Sequence, residues 1–193
     1  MTLPKPHEIE TFSGRFVDTK QPDPESIILE DIAHALSNIC RYGGHCSRFY
    51  SVAEHSVFVS KRMERKGYGK AMCLAALHHD DAEAYLGDVP RPLKPLLGAR
   101  YRELTDRMDA AIVQGLSMPF TPEAFHAEPV KQADNWALFV EAEHLLPSEG
   151  GEFLRVDDAD QPERIVVPDY WLDGLSPVEA EGLFLSRHWE LTE

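Results

Sequence analysis

An all-α domain preceded by a short extended arm is predicted by three features of the chain. Apolar residues recur at helical spacing in several stretches, and two of those stretches open on a Ser-x-x-Glu pair of the kind that starts a helix. A third, residues 71 to 77, carries no charge on any face, as expected of a helix enclosed by others.

In order along the chain, "TFSGRFVD" alternates enough for a strand or extended arm, and "TKQPDPES" is a proline-broken loop. "LEDIAHALSNICR", residues 29 to 41, places Ile32, Ala35, Leu36 and Ile39 on one helical face, and the glycines of "YGGH" stop it. "SVAEHSVFVSKRMERKGYG" opens on the Ser51 and Glu54 pair and closes at Gly67. "KAMCLAALHHDDAEAYLG" is expected to continue as one buried helix until Pro90, Pro92 and Pro95 force an irregular stretch. A helix over 99 to 116 follows, then a long one around "PVKQADNWALFVEAEHLL" ending at Pro147. Residues 148 to 169 are expected to be loop, with at most a strand at "RIVV". "SPVEAEGLFLSRHWEL" closes the chain as a helix with the pair Ser176 and Glu179 at its start.

A length of 193 residues fits a single domain, 1–193, with its core over about 29–146. The balance of 19 basic against 33 acidic residues, a net charge of −14, repels nucleic acid and anionic membranes at long range. It leaves anionic small molecules open, since a cation and a few arginines in a cleft reverse the local field. Cys40, Cys46 and Cys73 form no CxxC pair, and with no apolar run of membrane length and no signal peptide the expected location is the cytoplasm. A homodimer or higher homo-oligomer is compatible with the chain, and neither nucleic acid nor membrane is expected as a partner.

The ionisable residues stand out against this apolar pattern. At about 100° per residue, with His79 at zero, Asp80 falls near 100° and Glu83 near 40°, while Asp81 points roughly opposite. On its own helix His55 lies within about 80° of Val52, Val59 and Met63, and Asp134 lies within about 40° of Val130, Leu138 and Leu145. Taken singly, each has an ordinary explanation, a hydrogen-bonded core histidine or a salt bridge between helices. Together they form a mixed nitrogen and oxygen donor set that suits Zn²⁺, Mn²⁺, Co²⁺, Fe²⁺ or Ni²⁺ rather than the all-oxygen shell of Ca²⁺.

"SVAEHS", "LHHDDAEAYLGDVPRPLK" and "KQADNWALF" together resemble the HD-domain metal-dependent phosphohydrolases, most closely their 5′-deoxynucleotidase branch. The resemblance spans roughly residues 29 to 146 and implies an HD-domain helical bundle. It implies one divalent transition metal on His55, His79, Asp80 and Asp134, with Glu83 as the catalytic carboxylate and Asp88 orienting it, the water or the sugar. His78 competes with His79 for the ligand place, and the spacing to Glu83 and Asp88 favours His79. The family's phosphate-binding arginine and the aromatic residue after it correspond to Arg41 and Tyr42. Related nucleotidases have tryptophan where this chain has Tyr42, which leaves selection against a ribose 2′-hydroxyl unassigned.

Arg48 and Lys94 are further candidates for contact with substrate, His45 and Arg91 weaker ones, and His34, His126 and His144 show no partner pattern. The implied activity is hydrolysis of 5′-deoxyribonucleoside monophosphates to nucleoside and phosphate. The alternatives are a dNTP triphosphohydrolase releasing triphosphate and a nucleotide-binding HD domain without turnover.

Overall fold

The computed structural model describes residues 5–148 and 174–193. The N-terminal arm is a hairpin of β1 (Glu8–Glu10) and β2 (Phe16–Asp18), paired antiparallel with Glu8 opposite Asp18. Val17 reaches the core from β2, and the hairpin tip is fastened to the start of α1 (Leu29–Asn38) by a buried carboxylate. Asp31 accepts hydrogen bonds from Thr11 Oγ1 at 2.8 Å, Ser13 N at 2.7 Å and Ser13 Oγ at 2.8 Å.

Helix α1 buries Leu29, Ile32, Ala33 and Leu36 and ends three residues short of the predicted Arg41. The chain turns extended at Ile39 because its backbone is claimed elsewhere: Val52 N donates to Ile39 O at 3.0 Å and Arg41 N to Tyr50 O at 2.9 Å. Residues 42 to 44 then run through the left-handed region, with φ of 57°, 60° and 79°. Gly43 and Gly44 take this conformation without steric cost, whereas Tyr42 is held in it against the preference of a side chain with a Cβ.

Helix α2 (Val52–Arg65) has the predicted start, with Ser51 Oγ accepting from Glu54 N at 3.1 Å and Glu54 Oε2 accepting from Ser51 N at 2.8 Å. Every residue from 52 to 60 is buried, so α2 is enclosed rather than amphipathic. Helix α3 (Lys70–Leu77) is also buried from Cys73 onward, as its uncharged run predicts. It does not continue through the acidic stretch, however. It ends at Leu77, residues 78 to 82 form a turn, and a short α4 (Glu83–Leu86) follows before Gly87 at φ 79°. The single long helix expected over 70 to 87 is therefore two helices and a turn.

Helix α5 (Lys94–Gly115) is broken at Gly98, φ 69° and ψ −152°, so its continuous part begins at residue 99 as predicted. Helix α6 (Glu128–Leu145) matches the long predicted helix, and α7 (Pro177–Thr192) carries the second capping box, Ser176 with Glu179. Helices α1, α3, α6 and α7 all pack on α2, and one apolar core runs from Val17 to Leu191. The fold is all-α with a two-stranded arm. The strand expected at "RIVV" lies outside the described residues.

Gly115 records a close approach between α5 and the loop before α1. A Cβ there would lie 2.5 Å from Pro24 O and 2.9 Å from the Ile27 side chain. Gly115→Ala should therefore destabilise the protein by about 1–3 kcal/mol despite the better helix propensity of alanine. Thermal unfolding should show Tm lowered by about 2–4 °C per kcal/mol, and an unchanged or raised Tm would contradict this packing.

Candidate metal centre

Four polar side chains from three stretches converge beside α2. His55 comes from the middle of α2, His79 and Asp80 from the turn after α3, and Asp134 from the first half of α6. His55 Nε2 lies 3.1 Å from Asp134 Oδ1 and 3.5 Å from Asp80 Oδ2. His79 Nε2 lies 3.2 Å from Asp80 Oδ2 and 3.9 Å from Asp134 Oδ1, and the two imidazole centroids are 5.3 Å apart. His55 is fully buried, while Asp134 is the most open of the four and stands at the mouth of the cluster.

The opposite edge of each ring is committed. His55 Nδ1 lies 2.7 Å from Glu141 Oε1, and His79 Nδ1 lies 2.9 Å from Ala76 O. Since a carboxylate and a carbonyl only accept, each Nδ1 carries a proton, and in the neutral ring Nε2 presents a lone pair. Both Nε2 atoms are buried and without a hydrogen bond among the described residues. Two lone pairs facing two carboxylate oxygens repel one another unless a proton or a metal cation lies between them, so the donor set fits a divalent metal.

The electrostatics agree. Burial and the Arg41 charge push the His55 imidazole down, but Glu141 and the contact with Asp134 outweigh them and raise it to about 9. Against the upward push of burial, His79 and His55 hold Asp80 below the usual carboxylate range, and contacts with the same two rings hold Asp134 well below it. A cation held by this cluster would meet carboxylates already ionised.

The neighbouring groups have distinct tasks. Glu83, first residue of α4, is buried, and burial followed by the Asp80 charge raises its carboxyl well above the usual range. Its Oε1 accepts from Lys94 Nζ at 3.1 Å and its Oε2 has no partner. Lys94 is thus drawn to Glu83; burial lowers it, but the charges of Glu83 and Asp80 together with the hydrogen bond to Glu83 raise it overall. Asp88, just past Gly87, is raised by burial and feels the charges of Arg41 and Asp80. Arg41 is buried, with Nε 3.2 Å from Glu141 Oε2 and NH1 3.8 Å from Asp80 Oδ2. Because α1 ends before it, Arg41 is not a helix-terminal charge. The Tyr42 hydroxyl turns inward, 3.4 Å from Leu138 O and 3.3 Å from Glu141 Oε2, and Arg48 lays its aliphatic stem near Gly174. Arg91 donates to Asn135 Oδ1 at 3.0 Å.

Two features escape a reading of the sequence alone. Glu141 is fully buried and touches Arg41, His55 and both nearby tyrosines; its only signal is a position seven residues after Asp134, two turns along the same face. The second is a buried chain in which His78 Nδ1 lies 2.6 Å from Asp81 Oδ2 and His78 Nε2 lies 2.8 Å from His188 Nδ1 on α7. His78 therefore faces α7, while His79 faces the cluster.

Fold and site together define a mostly helical protein in which buried His55 and the partly buried His79 and Asp80 could hold a metal ion. The chain is 35% identical over 186 residues to "Uncharacterized protein YfdR" of Escherichia coli (strain K12), covering 96% of each. It is 35% identical over 180 residues to "Uncharacterized protein RCAP_rcc00048" of Rhodobacter capsulatus, covering 91% of each. The chain belongs to the family of these two proteins. No protein-family model matches it, and no helix among the described residues is long and apolar enough to cross a membrane.

Burial, followed by the charge of His78, depresses His188 to about 4. A histidine depressed in the fold stabilises it in the neutral form. That stability is complete above the unfolded value of about 6.5 and is lost as pH falls through the folded value. In metal-free protein, the urea-unfolding advantage of the wild type over His188→Gln should shrink between pH 7 and pH 5. An equal advantage at both pH values would contradict a neutral His188.

Proposed function

We propose that the protein is a metal-dependent phosphohydrolase of the HD type that converts 5′-deoxyribonucleoside monophosphates to nucleoside and phosphate. The observation that carries this reading is the meeting of His55, His79, Asp80 and Asp134 around two buried Nε2 atoms without hydrogen bonds, with Arg41 and Glu83 alongside. These are the residues that the resemblance to HD-domain phosphohydrolases singles out. The monophosphate is preferred to a triphosphate because Lys94 and Arg91 are engaged with Glu83 and Asn135, leaving fewer cations for a longer phosphate chain.

His55, His79, Asp80 and Asp134 would hold the metal, which supplies Lewis-acid activation of water and neutralises phosphoryl charge when bound. Arg41 binds the phosphate oxygens through the planar fork of its guanidinium, with Asp80 as the partner it gives up. Water attacks phosphorus, a new P–O bond forms and the bond to the sugar 5′-oxygen breaks. Glu83 carries the proton lost by the water to that departing oxygen. Its carboxyl, raised by burial and by Asp80, suits this exchange because it gives and takes a proton nearer neutrality than an exposed glutamate would. Lys94 holds Glu83 in place, and Asp88 would orient the water or the sugar.

Glu83→Gln should keep Mn²⁺ or Co²⁺ binding by calorimetry while kcat falls about 10²–10⁴-fold, whereas Asp80→Ala should lose both metal and turnover. Retained turnover in the Glu83 variant would remove it from the mechanism. Phosphate release from dAMP should exceed triphosphate release from dATP on the metal-loaded protein. The opposite order would establish the triphosphohydrolase, and no hydrolysis across a nucleotide panel would leave a binding domain.

A further inference from the structure

The geometry points to Glu141 as a positioning residue that sets both the ligand imidazole of His55 and the guanidinium of Arg41 through one buried carboxylate. This rests on the reading of His55 as a metal ligand and Arg41 as the phosphate-binding group.

A carboxylate in a dry core is retained only when its charge and its lone pairs are matched. Glu141 meets that condition in full. Its Oε1 accepts from His55 Nδ1 at 2.7 Å and from the Tyr50 hydroxyl at 3.1 Å. Its Oε2 accepts from the Tyr42 hydroxyl at 3.3 Å and faces Arg41 Nε at 3.2 Å. The four groups come from α2, from the residue before its N-cap, and from the turn after α1, and this carboxylate joins the side chains of all four.

Two consequences follow for the site. Acceptance from His55 Nδ1 keeps the Nε2 lone pair directed at Asp80 and Asp134, the arrangement in which an outer carboxylate also raises the donor strength of a ligating imidazole. Engagement of Arg41 at its Nε edge leaves NH1 on the Asp80 side, where a phosphate beside the metal ligands would lie. Loss of Glu141 therefore has to weaken metal binding through His55 and phosphate binding through Arg41 at the same time, although Glu141 touches neither ligand.

The isosteric Glu141→Gln tests this with Zn²⁺ and inorganic phosphate as probes. The Zn²⁺ dissociation constant, measured by chelator competition, should rise about 10–100-fold. At saturating Zn²⁺ the same variant should bind phosphate more weakly, and this second effect should vanish when Arg41 is already alanine. In Zn²⁺-loaded wild type, long-range proton–nitrogen NMR should show His55 protonated at Nδ1 and metal-bound at Nε2. That spectrum decides the matter even if the variant fails to fold, since metal on Nδ1 overturns the role assigned to Glu141. Equal Zn²⁺ affinity in both proteins also overturns it, as does a phosphate effect that persists in the Arg41→Ala background. Failure of wild type to bind Zn²⁺, Mn²⁺ or Co²⁺ at all would instead remove the metal-centre reading on which the inference stands.

Discussion

Enclosure of α2 on every side is the constraint from which the rest of the site follows. With residues 52 to 60 all out of water, His55 has no solvent with which to share its two nitrogens, and each must be answered by a side chain from another element. Helix α6 answers both edges: Asp134 meets Nε2 and Glu141, two turns later, meets Nδ1. The register between α2 and α6 thus needs two polar contacts on opposite edges of one ring, a stricter demand than apolar packing makes, because apolar side chains tolerate small slides that polar contacts of fixed direction do not.

Charge inside the bundle is arranged so that each ion has an opposite neighbour. Glu141 lies between His55 and Arg41, Arg41 between Glu141 and Asp80, and Asp80 between Arg41 and the two imidazoles. Removing one member exposes the next, so the effects of substitution here should be coupled rather than additive. The same alternation leaves an acidic protein, with net charge −14, a guanidinium whose neighbours are locally balanced, as the proposed binding of an anion requires. The local balance beside Arg41 is set by its immediate partners rather than by the distant surface, and a cation held by the cluster would add to it.

Local signals in the sequence located most of the elements. Both capping boxes, the uncharged run within α3 and the start of the continuous part of α5 at residue 99 are where short-range rules place them. The misplaced boundaries have non-local causes. Helix α1 stops early because residues 39 to 41 pair with the backbone ahead of α2, a partner no window around residue 40 contains. Helical periodicity puts Asp134 on the face of α6 that carries Val130 and Leu145, and carried seven residues further it reaches Glu141. His188 offered no comparable signal, because its partner lies 110 residues away and only tertiary packing brings the rings together.

The break after Leu77 explains why the chain has a histidine doublet at all. In a continuous helix His78 and His79 would lie only about 100° apart and compete for one side. In the turn they separate: His78 bridges Asp81 and α7, and His79 faces His55 and Asp134. Phe184 meets the His78 ring edge-on at 5.2 Å, so α7 grips the turn by an aromatic contact as well as by the hydrogen bond to His188. The backbone that presents His79 and Asp80 is therefore braced from behind by the last helix of the chain. That helix is tied to α2 in turn, because Glu54 Oε1 accepts from Leu175 N at 3.0 Å and Arg187 Nε donates to Ser60 Oγ at 3.1 Å. A turn has fewer backbone hydrogen bonds than a helix to hold two donor side chains still. In this protein the missing rigidity comes from the neighbouring histidine and the C-terminal helix it binds.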